Sequence, residues 1–233
     1  MPSTFIPLAE ETGLIIPIGE WILKTACKEV AALQSELNRE IMLAVNISPR
    51  QFQQKNFPIT IEQAIHESGL RPEQLELEIT EQLLMMDSEE SLEIMRRVRT
   101  LGVRFAIDDF GTGFSNMGYI TRFAVDRIKI DRSFICKCDT DSNSRAVTSA
   151  IIALAHSLEI EVIAEGVETT KHVEMLTAMQ CDQAQGYLYS RPLKLPALKR
   201  FSAKAIVLPR ISPDKSGVRR AFNEIGQDTL HMA

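Results

Sequence analysis

The chain has 233 residues, of which 45% are hydrophobic and 24% charged, a composition that supports a sizeable core and excludes bulk disorder. The formal net charge of -5 excludes a general attraction for a nucleic-acid polymer, which needs a basic stripe. Pro7, Glu10, Glu11 and Pro17 break up the apolar start and exclude a membrane span there, and four cysteines without zinc-type spacing predict reduced thiols in a cytoplasmic protein.

In chain order, periodicity predicts a helix over 19–37 with Trp21, Ile22, Ala26, Val30 and Leu33 on one side. A strand follows over 43–47, then a helix over 59–68 closed by Gly69, a strand over 75–79, and a helix over 88–101 closed by Gly102. Strands over 104–108 and 127–131, a helix over 144–158, a strand over 161–165, a helix over 170–179 and a weaker strand over 182–186 complete the series. The segment 203–208 is strand-like and is read as a cover for an open edge; the tail from Pro209 is polar and expected to be mobile.

The strands are nearly continuous in Leu, Ile and Val, as parallel strands covered on both faces are. Strict β-then-α alternation argues a parallel sheet, closed or doubly wound. A closed (β/α) barrel has eight strands; six are recognised, so the expectation is an α/β barrel incomplete at its N-terminus over 1–200, with a partly disordered C-terminal extension over 201–233.

Polar residues stand where each strand ends: Asn46, then Glu78 and Glu81, Asp108 and Asp109, Lys129 and Asp131, Glu165, and Gln185. In a parallel barrel all these ends face one mouth, where active sites are built. Crowded carboxylates repel unless a cation sits among them. All-oxygen donors point to Mg²⁺ or Mn²⁺, with Ca²⁺ an alternative, and away from zinc or copper. Singly, each residue has a bland reading: Asp108-Asp109 as a turn, Lys129 as a snorkelling side chain, Asn46 as a cap. Their joint placement at six successive strand ends favours chemistry. The four histidines, His66, His156, His172 and His231, lack ligand spacing, and no nucleophile elbow or Walker lysine loop occurs.

The motifs Phe5-Ile6-Pro7-Leu8-Ala9-Glu10-Glu11, Asn46-Ile47-Ser48 and Leu77-Glu78-Ile79-Thr80-Glu81 resemble the EAL family of cyclic di-GMP phosphodiesterase domains. So do Asp108-Asp109-Phe110-Gly111-Thr112-Gly113, Lys129-Ile130-Asp131, Ala164-Glu165-Gly166-Val167-Glu168-Thr169 and Gln185-Gly186-Tyr187. The resemblance implies a TIM-like barrel that hydrolyses cyclic di-GMP to linear pGpG with one or two Mg²⁺ or Mn²⁺ ions. It implies Asn46, Glu78 and Asp108 as ligands of one ion, and Asp108, Asp109 and Glu165 as ligands of the other. Lys129 would hold the attacking water, Gln185 orient it and Glu168 support the site, with Asp131 a further support residue, while Glu81 and loop 109–116 would couple dimerisation to the metals.

The family's naming Glu-Ala-Leu segment does not occur in the chain. The expectation is therefore a barrel lacking its first strands, a weak or inactive phosphodiesterase, and a self-associating or homodimeric chain. Such a chain is either a natural truncation or a piece of a longer parent with a sensory or cyclase domain upstream. The alternative function is a catalytically inactive module that binds cyclic di-GMP or a protein; a third, carried only if the motifs are discounted, is an enolase- or aldolase-like metal enzyme.

Overall fold

The structure, a computed structural model, describes residues 2–85, 89–113 and 118–204. The chain divides into two units, Met1–Arg127 and Ile128–Ala233. The first begins with helices α1 (Pro2–Thr12) and α2 (Ile15–Leu37). Helix α2 starts four residues ahead of the expected Gly19, because Pro17 falls in the first turn, where its missing N–H has no partner to lose.

The expected buried side of α2 is corrected. Trp21 and Ile22 are exposed at 66% and 43%, and the buried stripe is Ile15, Gly19, Leu23, Cys27 and Leu33. Close approach sets this face: a Cβ on Gly19 would lie 1.8 Å from Gln51 Nε2. At this one glycine the buried side-chain amide of Gln51, from helix α3 (Pro49–Phe52), packs directly against α2.

Strands β1 (Leu43–Asn46), β2 (Leu75–Thr80) and β3 (Arg104–Phe110) alternate with α3 and α4 (Phe57–Ser68), then α5 (Glu81–Met85) and α6 (Glu89–Thr100). A short 3-10 turn, Pro72–Gln74, leads into β2. The pairings are parallel, Asn46 opposite Glu78 and Thr80 opposite Asp108. Every residue of β2 from Leu75 to Ile79 is buried, the charged Glu76 and Glu78 included, as a strand covered on both faces requires. Glu76 is compensated by Arg127, whose guanidinium lies 2.7 and 2.9 Å from its two oxygens. Helix α4 ends where expected, on Gly69 with a left-handed φ of 71°. Helix α7 (Gly118–Arg122) precedes β4 (Arg127–Ile130), which begins on the unit's last residue.

The second unit carries β4, β5 (Glu161–Glu165) and β6 (Gln183–Gln185), with β5 and β6 parallel. Between them run α8 (Arg132–Ile135), α9 (Ser142–Ser157) and α10 (Thr170–Ala178), and α11 (Leu195–Lys204) follows. The strand reading of 203–208 is corrected at its start, since Ala203 and Lys204 belong to α11; residues 205–208 and the tail from Pro209 lie outside the described residues.

Candidate active site

In the first unit the register collects the predicted groups. Paired residues of parallel strands send side chains to the same face, and so do residues two apart on one strand. Asn46 opposite Glu78, and Asp108 two positions beyond Ala106, Glu78's other partner, therefore share one face of β1, β2 and β3. Asn46 is exposed and Glu78 buried. The β1–β2 ladder runs on past Asn46 and fixes its backbone: Ile47 N–H donates to Glu78 O at 2.8 Å. Ser48 then caps α3, with Ser48 Oγ accepting from Gln51 N and Gln51 Oε1 accepting from Ser48 N, each at 3.2 Å.

Asp109 breaks the strand alternation. Its φ is 53°, a left-handed conformation that Asp tolerates better than most residues and that clusters at functional sites. Its N–H donates to Asp108 Oδ1 at 3.1 Å, and carboxylate oxygens of the two residues lie within 4.8 Å of each other. Glu81, the first residue of α5 and buried, accepts from Gly111 N–H at 3.4 Å, which ties it to the loop it was expected to serve. Residues 114–116 of that loop lie outside the described residues.

In the second unit Lys129 is buried, and its ammonium lies 2.9 Å from Glu165 Oε1. The snorkelling reading is thereby overturned: the charge points into the protein, where only a partner makes it tolerable. Glu165 pairs in register with Gln185, so both side chains leave the same face. Asp131 caps α8 by accepting from Ser133 N–H at 2.9 Å. Glu168 is exposed and sits 3.9 Å from Arg132.

Two glycines hold this end together in a way the sequence reading missed. A Cβ on Gly186 would lie 2.1 Å from Val167 O, and one on Gly166, whose φ is 74°, would lie 2.5 Å from Arg132 Cβ. Their position beside Gln185 and Glu165 was the available signal. In the first unit the donors are carboxylate and amide oxygens, and in the second they are a carboxylate and an amide beside one ammonium; oxygen donors of this kind suit a hard divalent cation.

Comparison with known proteins gives the family. The EAL domain model matches residues 1–192. YkoW of Bacillus subtilis, a signaling protein, is 42% identical over 200 residues, 86% of this chain and 25% of that protein. MucR of Pseudomonas aeruginosa, a bifunctional diguanylate cyclase/cyclic di-GMP phosphodiesterase, is 41% identical over 192 residues, 82% of this chain and 28% of that protein. The chain thus spans about a quarter of the length of these relatives. The solved structure of the MucR phosphodiesterase with c-di-GMP matches with a TM-score of 0.81 and 40% identity, covering 85% of this chain and 80% of that one. That of Klebsiella pneumoniae BlrP1 with manganese and cyclic di-GMP matches with a TM-score of 0.66 and 28% identity, covering 74% and 45%. The fold is the α/β, TIM-like barrel of these neighbours, incomplete among the described residues, where six parallel strands form the sheet. On the match over 1–192, the chain belongs to the EAL domain family.

Proposed function

We propose that this chain hydrolyses cyclic di-GMP to linear pGpG by in-line attack of water on one phosphodiester, at a rate lowered by the lack of the Glu-Ala-Leu glutamate. The observation that carries the reading is the presence of Asn46, Glu78, Asp108, Asp109, Lys129, Glu165 and Gln185 at strand ends in a chain 41% identical over 192 residues to MucR, a bifunctional diguanylate cyclase/cyclic di-GMP phosphodiesterase. The water oxygen bonds to phosphorus, the bond to the 3′-oxygen breaks, and that oxygen leaves as a hydroxyl once protonated. Asn46, Glu78, Asp108, Asp109 and Glu165 would hold one or two Mg²⁺ or Mn²⁺ ions. Bound there, the cations supply Lewis-acid stabilisation of charge on the attacking and leaving oxygens. Lys129 orients the water and fixes Glu165, Gln185 orients the water from the neighbouring strand, and Glu168 supports the turn between them. An acidic mouth accepts a dianionic dinucleotide only with cations between the carboxylates and the phosphates.

The chain is read as cytoplasmic and self-associating. No described helix is long and apolar enough to cross a membrane, the cysteines are free, and exposed Leu8, Leu14 and Trp21 offer apolar surface to a second copy.

The test is incubation of the purified chain with cyclic di-GMP and Mn²⁺, Mg²⁺ or a chelator, with chromatography of the product. Divalent-dependent appearance of pGpG supports the reading. Saturable binding without turnover would instead assign the chain to the regulatory class, and neither binding nor turnover would overturn both.

A further inference from the structure

His172 is a buried polar side chain that the reaction as described does not use. It is 4% exposed and stands in the first turn of α10, where Thr169 Oγ1 accepts from its N–H at 3.2 Å. The imidazole turns back over that cap. Its Nδ1 lies 3.4 Å from the backbone nitrogen of Glu168, and its Nε2 lies 3.9 Å from Asp139 Oδ1. Lys171 Nζ stands 3.5 Å from the other oxygen of Asp139.

A backbone N–H only donates, so Nδ1 is the acceptor, and the proton of the neutral ring sits on Nε2, facing Asp139. The segment before His172 is fixed at its other residues. Val167 N–H donates to Gln185 O at 3.0 Å, and Val167 O accepts from Leu188 N–H at 3.0 Å. Gly166 is pressed against Arg132, and Cys136 Sγ donates to Gly166 O at 3.6 Å. Glu168, where the chain leaves this clamp for α10, has its amide held by the imidazole.

We propose that His172, as the neutral Nε2–H tautomer, is a positioning residue that sets the Glu165–Glu168 turn by accepting the Glu168 amide. Thr169 caps the helix by itself; the imidazole adds direction to the residue before the cap. Its effect on rate rests on the phosphodiesterase reading, whereas its effect on the turn does not.

Two variants of the full chain separate this from simple packing. His172→Asn keeps an acceptor near the place of Nδ1, and His172→Leu keeps apolar bulk without one. In His172→Leu the Glu168 amide is expected to exchange its hydrogen about tenfold faster or more. The kcat for cyclic di-GMP is expected to fall by about tenfold or more with KM little changed. His172→Asn is expected to restore both. Nitrogen chemical shifts of the wild-type imidazole give an arm independent of variant folding, with the proton expected on Nε2. A proton on Nδ1, unchanged Glu168 exchange in His172→Leu, or equal failure of both variants would overturn the proposal. A wild type that neither binds nor turns over the dinucleotide sinks the phosphodiesterase reading and leaves exchange and tautomer to decide this one.

Discussion

Lys129 and Gly186 show how little room single residues have at the strand ends. The Lys129 ammonium is buried against Glu165 at 2.9 Å, so its removal takes this ion pair from the Glu165 carboxylate and, on the proposed reaction, the group that would orient the attacking water. Lys129→Met is expected to lower kcat for cyclic di-GMP by about 10² to 10⁴-fold, measured as pGpG formation at saturating substrate and Mn²⁺. Wild-type turnover in that variant would remove Lys129 from the chemistry. At Gly186 the obstacle is backbone, with Val167 O at 2.1 Å and Val167 N at 2.3 Å from any added Cβ, and backbone cannot swing aside as a side chain can. Gly186→Ala is expected to destabilise the protein by about 1 to 3 kcal/mol, read by denaturant unfolding, and to cut turnover as Gln185 moves. An unchanged midpoint would mean the two segments have more freedom than their contact allows.

Caps and cross-strand charges govern the elements. Asp141 caps α9, and hydrogen bonds from the Ser144 side chain and backbone, then from Asn143 N–H, hold its carboxyl below the ordinary value of 3.8. A folded value lower than the unfolded one means the stabilisation is complete above the ordinary value and vanishes as pH falls through the folded one. Asp141→Ala should therefore melt below wild type near about pH 6, and the gap should close in acid under about pH 4; a gap independent of pH would contradict this. Deeper in the first unit, Arg127 and Glu76 are 8% and 3% exposed and 2.7 Å apart. Arg127→Met alone strands a buried carboxylate and is expected to cost about 3 to 5 kcal/mol, whereas Glu76→Met with Arg127→Met is expected to be far milder. Urea midpoints of the two variants decide it; a single variant no worse than the double would show the pair to be dispensable one partner at a time.

For the whole molecule, each unit carries a buried thiol that reports its integrity. Burial pushes the Cys27 thiol up to about 11 and the Cys181 thiol up to about 12, leaving a thiolate fraction of about 10⁻⁴ or less at neutral pH. Both are completely buried. Iodoacetamide is expected to label Cys27 only when Met1–Arg127 opens and Cys181 only when Ile128–Ala233 opens. Mass spectrometry along a denaturant series gives the two rates separately; labelling of either residue at native conditions within minutes would contradict this burial.

The sequence by itself determined the strand positions, the βα alternation and the family, because nearly continuous Leu, Ile and Val runs and glycine stops such as Gly69 and Gly102 are local signals. It located the polar strand ends for the same reason. It misjudged the buried side of α2, since the indole of Trp21 offers far more apolar surface than Gly19 while the closeness of Gln51 is invisible along the chain. Short capped helices such as α3 and α8 were missed because four residues carry no period. Only the tertiary structure decided that Lys129 turns inward to Glu165, that Asp109 takes a left-handed backbone inside β3, and that His172 faces the Glu168 amide. Each depends on which partner reaches an atom through space, and that is fixed by packing between segments distant in sequence or by a backbone angle that several residue types share.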